Sequence, residues 1–301
     1  MRIGIVGIGD IAQKAYLPVL AARADVEPHL VTRNSSVLDR VGAAYRIEHR
    51  YTELSELLAV GVDAAFVHTA TSAHAETVEQ LLSAGVHVYV DKPLDYTYAT
   101  AERLVAHAER ADRSLVVGFN RRYAPAYAEL QALPTQIVVM QKNRQQLLER
   151  PRTTVFDDFI HVVDTMRFLL PGPVEHVDIR HDVRAGLLHH VVLHLSGAGF
   201  SSLGIMSRDS GSVEETLEVI GGGHKRRVVN LEAVIDHHGG QEHRPVPNWQ
   251  PVAQRRGIEQ ICSHFLDAVR DGRVLSARDA LATHALCEDI AAAAESVGSG
   301  P

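Results

Sequence analysis

Cysteine is scarce: the 301-residue chain has two, Cys262 and Cys287, both in helix-like stretches near its end. A disulfide-built secreted scaffold is thereby excluded. With no signal-peptide pattern in view, two buried thiols in a reducing cytoplasm are expected. Long apolar runs are absent too. None approaches the roughly 20 residues of a membrane-spanning helix, so no membrane partner is expected. Positive charge is in deficit, with 30 Lys and Arg against 37 Asp and Glu and a formal net charge of -7. No basic stripe is available to neutralise phosphates, which argues against nucleic acid as a partner. The densest basic cluster, His224-Lys225-Arg226-Arg227, follows three glycines and reads as a turn before a strand. Histidine is plentiful at 18. Yet the pairs His189-His190 and His237-His238 would point to opposite faces of an extended chain, a poor arrangement for chelation, so no metal is expected.

What is present suits a globular chain with a sizeable core: 46% hydrophobic and 22% charged residues, long enough for two domains. Residues 2–118 alternate apolar strand-like runs with helical patterns: strands at Arg2–Val6, Val26–Val31, near Tyr45–Ile47, Ala64–His68, His87–Val90 and Leu115–Gly118. Such alternation, with continuous rather than alternating hydrophobicity in the strands, predicts a doubly wound parallel sheet, a Rossmann domain over residues 1–119. After Gly118 the texture changes. Six runs between Gln136 and Leu231 alternate apolar and polar residues and follow one another through glycine turns. They predict an α+β domain over residues 120–301 built on a large, open, mostly antiparallel sheet, with closing helices able to pack back on the first domain. One helix, Asp157–Leu170, interrupts them and stops at Pro171-Gly172.

Gly7-Ile8-Gly9-Asp10-Ile11-Ala12 is G-x-G-x-x-A, set directly after a strand and opening a helix. The first glycine permits the tight turn, the second lets backbone approach a pyrophosphate, and Ala12 lets the helix pack close to the strand. The helix start then offers free N–H groups to phosphate. Gly7, Gly9, Asp10 and Ile11 are therefore candidate cofactor contacts. The second strand runs into Thr32-Arg33-Asn34, with no carboxylate to hold a ribose diol. Arg33 offers instead a planar donor fork for a 2′-phosphate, so the expected cofactor is NADP ahead of NAD, with Thr32 and Asn34 beside it. Lys92, after the fifth strand, stands beyond a strand's carboxyl end, where it can polarise a substrate oxygen or exchange a proton with it. Asp157, His161 and Asp164 fall at i, i+4 and i+7, which predicts one acid–histidine helix face suited to proton transfer. The competing reading of Asp157 or Asp158 is a helix cap, with Thr154 completing a capping box. Arg144, after a strand near this helix, is a candidate contact for a polar substrate.

Together these segments resemble the Gfo/Idh/MocA family, named for glucose–fructose oxidoreductase and inositol dehydrogenase. The resemblance runs through the glycine turn, the His68-Thr69-Ala70-Thr71 loop with His74, the Asp91-Lys92-Pro93 element, the Gly118–Pro125 junction and the Asp157-x-x-x-His161-x-x-Asp164 helix. The wording FDDFIHVVDT is similar to an MviM-like branch. The resemblance implies Lys92, Asp157 and His161 as catalytic residues, and Thr69, His74, Lys92 and Asn120 as cofactor contacts. It also sets Tyr16, where many relatives carry histidine, at the substrate edge. It implies hydride transfer between a nicotinamide and a secondary alcohol or ketone of a sugar, cyclitol or related small polar molecule, and a homo-oligomer, dimer or tetramer. The rivals are a redox-neutral glycosidase or lyase that borrows NAD and a non-catalytic dinucleotide sensor.

Overall fold

A computed structural model of the protein describes residues 1–244 and 249–296. The chain falls into two compact units, Met1–Phe119 with Ile258–Ala282, and Asn120–Gly257 with the chain from Thr283 onward.

In the first unit, β1 (Arg2–Val6), β2 (Glu27–Val31), β3 (Arg50–Tyr51), β4 (Ala64–Val67), β5 (His87–Val90) and β6 (Leu115–Val117) form one sheet in the order β3-β2-β1-β4-β5-β6. Every pairing is parallel. All four residues of β4 and four of the five in β1 are buried, as a strand covered on both faces requires. The strand order reverses between β1 and β4, which opens a crevice at their carboxyl ends.

The third strand departs from the sequence expectation. The Ser35–Tyr45 helix continues through Tyr45 and ends where Arg46 turns left-handed at φ 56°, its amide closing on the carbonyls of Ala43 and Gly42. The chain then needs four residues to reach the sheet edge, and the strand begins at Arg50. Gly42 leaves room for the Arg50 side chain, which lies over it. The helix Ile258–Arg270 also belongs to this unit; Phe265 meets Phe66 edge-on, ring centroids 5.3 Å apart.

In the second unit, β7 (Ile137–Asn143), β8 (His176–Arg184), β9 (Leu187–Gly197), β10 (Phe200–Ser207), β11 (Glu214–Gly221), β12 (His224–Val229), β13 (Ala233–His237) and β14 (Gln241–Arg244) form a sheet in the order β14-β13-β12-β11-β7-β10-β9-β8. Only the β10–β7 pair is parallel. The alternation is clear in β10, which buries Phe200, Ser202, Gly204 and Met206 and turns the residues between them outward. On the buried face lies a helix in three parts, Pro151–Thr154, a wide π turn at Val155–Phe159, and Ile160–Leu169. A Cβ on Gly204 would run into Met166 and Val162, so this glycine lets the helix lie against the strand.

The basic cluster His224–Arg227 corrects another expectation, because it lies inside β12. Gly222 and Gly223, with φ 56° and 75°, make the turn before it. Arg226 is buried against Asp236 of β13 at 2.6 Å. β13 and β14 lacked an apolar alternation that would have announced them. Both cysteines are free and buried, and among the described residues no helix is long and apolar enough to cross a membrane.

Candidate active site

The glycine turn closes β1 onto its neighbours. Gly7 donates to Val31 O at 2.9 Å, and His68 donates to Val6 O at 2.7 Å. Gly7 has φ 89°, and a Cβ there would stand 2.7 Å from the backbone of His68 and Thr69. Its bareness is thus demanded by the protein itself. Gly9 is different: nothing lies within 4 Å of where its Cβ would be. That open space sits at a helix start, beside Ile11, a large apolar side chain left 55% exposed. The Thr69 hydroxyl is buried with no hydrogen-bond partner. A bare cradle, an uncovered apolar side chain and an orphaned hydroxyl at one switch point fit the pyrophosphate and ribose of a dinucleotide. The helix start is braced by Gln13, which donates to Ile8 O at 2.9 Å and accepts from Arg40 at 2.9 Å. The Asp10 carboxylate turns away to pair with Lys14 at 2.8 Å.

At the end of β2, Arg33 is exposed. Asn34 is occupied, since its side-chain oxygen accepts from Val37 N at 3.2 Å and caps the Ser35–Tyr45 helix. Expected at the cofactor, Asn34 serves in this structure as a helix cap.

Beyond β4 and β5, two loops are tied together by His74, which is 1% exposed. Its Nδ1 lies 2.8 Å from Pro93 O and its Nε2 3.1 Å from Thr69 O. Burial pushes the proton affinity of this ring down, so the neutral form donates to one carbonyl and rests against the other. Both ring nitrogens of His74, expected at the cofactor, thus face protein carbonyls, one of them that of Pro93, which a cis peptide joins to the half-buried Lys92.

Below this loop lies a network the sequence did not announce. His68 Nδ1 donates to Asp91 at 2.8 Å, Tyr16 packs on His68 with ring centroids 4.1 Å apart and planes tilted by 35°, and the Tyr16 and Tyr89 hydroxyls meet at 2.8 Å. Tyr16, expected at the substrate edge, is 4% exposed and packs into this network. Burial, followed by the charge on Asp91, pushes its hydroxyl pKa well up. Burial alone would raise the Asp91 carboxyl, but His68, Tyr16 and His74 together hold the group below its usual range.

In the second unit, Asp157 and His161 are half-buried on the covering helix, while Asp164 is 1% exposed and turned inward. Arg122 grips Asp164 with two hydrogen bonds of 2.9 and 2.6 Å, and Thr283 adds a third at 3.0 Å. Asp164 thus leaves the face predicted for it and anchors the helix. The π turn at Val155–Phe159 alters the spacing between Asp157 and His161, whereas Asp164 sits in regular helix and is drawn inward by Arg122. The capping reading of Asp157, Asp158 and Thr154 also falls, because the helical run begins at Pro151 and Thr154 is buried within it.

Asp158, next to Asp157, is held by Arg144 through two bonds of 2.8 Å, by Arg208 at 2.8 Å and by Lys142 at 3.4 Å. The Arg144 fork is therefore spent within the protein instead of waiting for substrate. The cluster continues across β7 and β11, where Lys142 and Glu215 are register partners 3.0 Å apart. Arg121 clamps the same Glu215 at 2.7 and 2.6 Å, and the Tyr127 hydroxyl donates to it at 3.1 Å. Burial would raise Glu215, yet Arg121 and Lys142 hold it far below the usual carboxylate range. Burial and the neighbouring Arg121 bring Lys142 down to about 8. Asn120, expected at the cofactor, belongs to this unit and donates to Arg256 O at 2.7 Å. The signal that could have found the cluster is charge at inward-facing positions, Lys142 and Glu215 on strands and Arg208 just after one, where apolar residues are the rule.

A sheet with this order, a glycine cradle at its switch point and a positioned lysine after β5 define a dinucleotide-binding oxidoreductase scaffold. Residues 1–119 match the family model for the oxidoreductase family with NAD-binding Rossmann fold, and residues 125–238 match that for the YceM-like C-terminal domain. The chain belongs to the Gfo/Idh/MocA family of oxidoreductases. Within it, the protein YceM of Salmonella typhimurium is 36% identical over 282 residues, 91% of each chain. The crystal structure of a Clostridium difficile dehydrogenase, MviM, superposes with a TM-score of 0.93 at 31% identity, covering 97% of this chain and 99% of that one. A myo-inositol 2-dehydrogenase of Thermotoga maritima is 31% identical over 138 residues, 43% of this chain and 39% of its own.

Proposed function

We propose that this oxidoreductase interconverts a secondary alcohol and a ketone on a sugar, cyclitol or related polar molecule, with a nicotinamide as hydride partner. The observation that supports this reading is the His74 tie, which joins the Thr69 loop beside Gly7 to Pro93, the residue after Lys92. Gly7, Gly9, Ile11 and Thr69 would hold the cofactor, whose nicotinamide supplies the hydride acceptor. Lys92 holds the substrate oxygen and stabilises its developing negative charge as carbon loses hydride. His161 takes the hydroxyl proton, and Asp157 orients the hydroxyl or the histidine. In the reverse direction His161 returns the proton to the carbonyl oxygen.

For the cofactor, Arg33 favours NADP over NAD. It stands exposed after β2, and neither Thr32 nor Arg33 supplies the carboxylate that would repel a 2′-phosphate. The family-level inositol dehydrogenase likeness supports a polyol substrate. Self-association through the open face of the second unit's sheet completes the reading. There Val139, Val192, Leu203 and Ile205 stand only half-buried, and the cross-strand register sets them side by side. Sedimentation of a monomer alone would refute that part.

The test is a screen of NAD and NADP turnover against sugars, cyclitols and sugar acids, using wild type, His161→Ala and Arg33→Ala. His161→Ala is expected to lower turnover about 10²–10⁴-fold with cofactor affinity retained. Unchanged turnover overturns the assignment of the base. Product formation without net cofactor reduction identifies redox-neutral chemistry, and binding without turnover identifies a sensor. A wild-type preference for NAD, or a preference unmoved in Arg33→Ala, removes the role given to Arg33.

A further inference from the structure

Glu27, His29 and His49 converge at the edge of the parallel sheet and take no part in the proposed reaction. Glu27 opens β2 and His29 follows two residues later, so the pleat sets both on one face. The register Leu30↔Arg50 and Val31↔Tyr51 brings His49, the residue before β3, alongside His29. The two imidazole rings stack with centroids 4.3 Å apart and planes 12° apart. Both Nε2 atoms face one carboxylate oxygen of Glu27, at 3.2 Å for His29 and 3.1 Å for His49. Among the described residues these are three metal-type donors with their ligand atoms all within 4.8 Å of one another.

We propose that Glu27, His29 and His49 form a binding site for a divalent transition ion of the zinc type, with water completing the coordination. Two ligands bound at about 2.0–2.1 Å to a tetrahedral ion stand roughly 3.3 Å apart, close to the nitrogen–oxygen separations here. Two imidazoles with one carboxylate select zinc, nickel, cobalt or copper over magnesium and calcium. The His29 ring is fixed from behind, since its Nδ1 lies 3.2 Å from the Tyr51 hydroxyl, the outer contact that typically orients a ligating histidine. His29 itself is buried, at 1% exposure. The Glu27 and His49 side chains are 53% and 46% exposed, free to close on an ion and open to its entry.

The ion would clip β2 to the two-residue edge strand β3, which is held by two register pairs. It would do so away from the reaction. Glu27 and Val31 are four residues apart, about 13 Å along the strand, and the glycine turn joins β2 at the Val31 end.

Untagged protein, stripped with a chelator and dialysed, is titrated with Zn²⁺ by calorimetry, with Mg²⁺ in parallel. One Zn²⁺ per chain with a rise in Tm is expected, and Mg²⁺ should neither bind nor compete. His49→Ala and Glu27→Gln, both at exposed positions, should each weaken Zn²⁺ binding at least tenfold while binding reduced dinucleotide like wild type. Retained dinucleotide binding shows that the variants are folded. No stoichiometric Zn²⁺ binding by wild type, or equal binding by His49→Ala, overturns the proposal.

Discussion

Replacing Gly9 with alanine separates what the fold requires of the glycine turn from what a ligand requires. The new Cβ meets no heavy atom within 4 Å, and Gly9 is not among the glycines with positive φ. Folding is therefore unopposed, and the loss of freedom in the unfolded chain should stabilise by about 0.4–1 kcal/mol. The methyl would fill the space a pyrophosphate uses to reach the backbone amides. A hydrogen bond pushed from about 2.9 Å to beyond 3.5 Å is lost. A charge-assisted bond contributes about 1.5–3 kcal/mol, so the Kd for dinucleotide should rise by about one to two orders of magnitude. Gly7→Ala is the contrast. At φ 89°, with backbone 2.7 Å from its Cβ, it should lower Tm through left-handed strain of about 1–2 kcal/mol and the added clash. Fluorescence titration with reduced dinucleotides, beside thermal unfolding of both variants, reads the two effects. Wild-type affinity in Gly9→Ala, or a Tm drop as large as that of Gly7→Ala, would refute the reasoning.

His74→Ala should leave cofactor affinity within a factor of about two but lower kcat on the order of 10- to 100-fold by loosening Lys92. Partial rescue by His74→Asn would mark a positioning role, and equal loss in both variants would speak against it. Glu215→Gln leaves Arg121 buried without its paired carboxylate and Lys142 with Asp158 as its remaining partner, so chemical denaturation should show a loss of about 3–5 kcal/mol. Lys142 titrates near 8 in the folded chain and higher in the unfolded one. Between those values only the unfolded chain keeps this proton, so the group's contribution to stability rises with pH by about 1.4 kcal/mol per unit. It is most unfavourable below pH 8. Denaturation curves across that window should lose the slope in Lys142→Met, and an unchanged slope would place the titration elsewhere.

The sequence by itself determined the first sheet except its short edge strand, because buried parallel strands must be continuously apolar and glycine turns carry their own grammar. It located the Gly7–Gly9 cradle, Lys92 and the Asp157–His161 helix for the same reason, since each signal lies within about ten neighbouring residues. Only tertiary structure decided how polar side chains are spent. Asn34, His74, Asn120 and Arg144 resemble ligand contacts in one dimension, yet each is committed to a cap, a carbonyl or a carboxylate. Tyr16 and Asp164 turn inward because Asp91 and Arg122 lie there to receive them. The clusters around Glu215 and Glu27 are assembled from strands or loops many residues apart. Their chemistry depends on register, which side-chain alternation constrains but only pairing fixes.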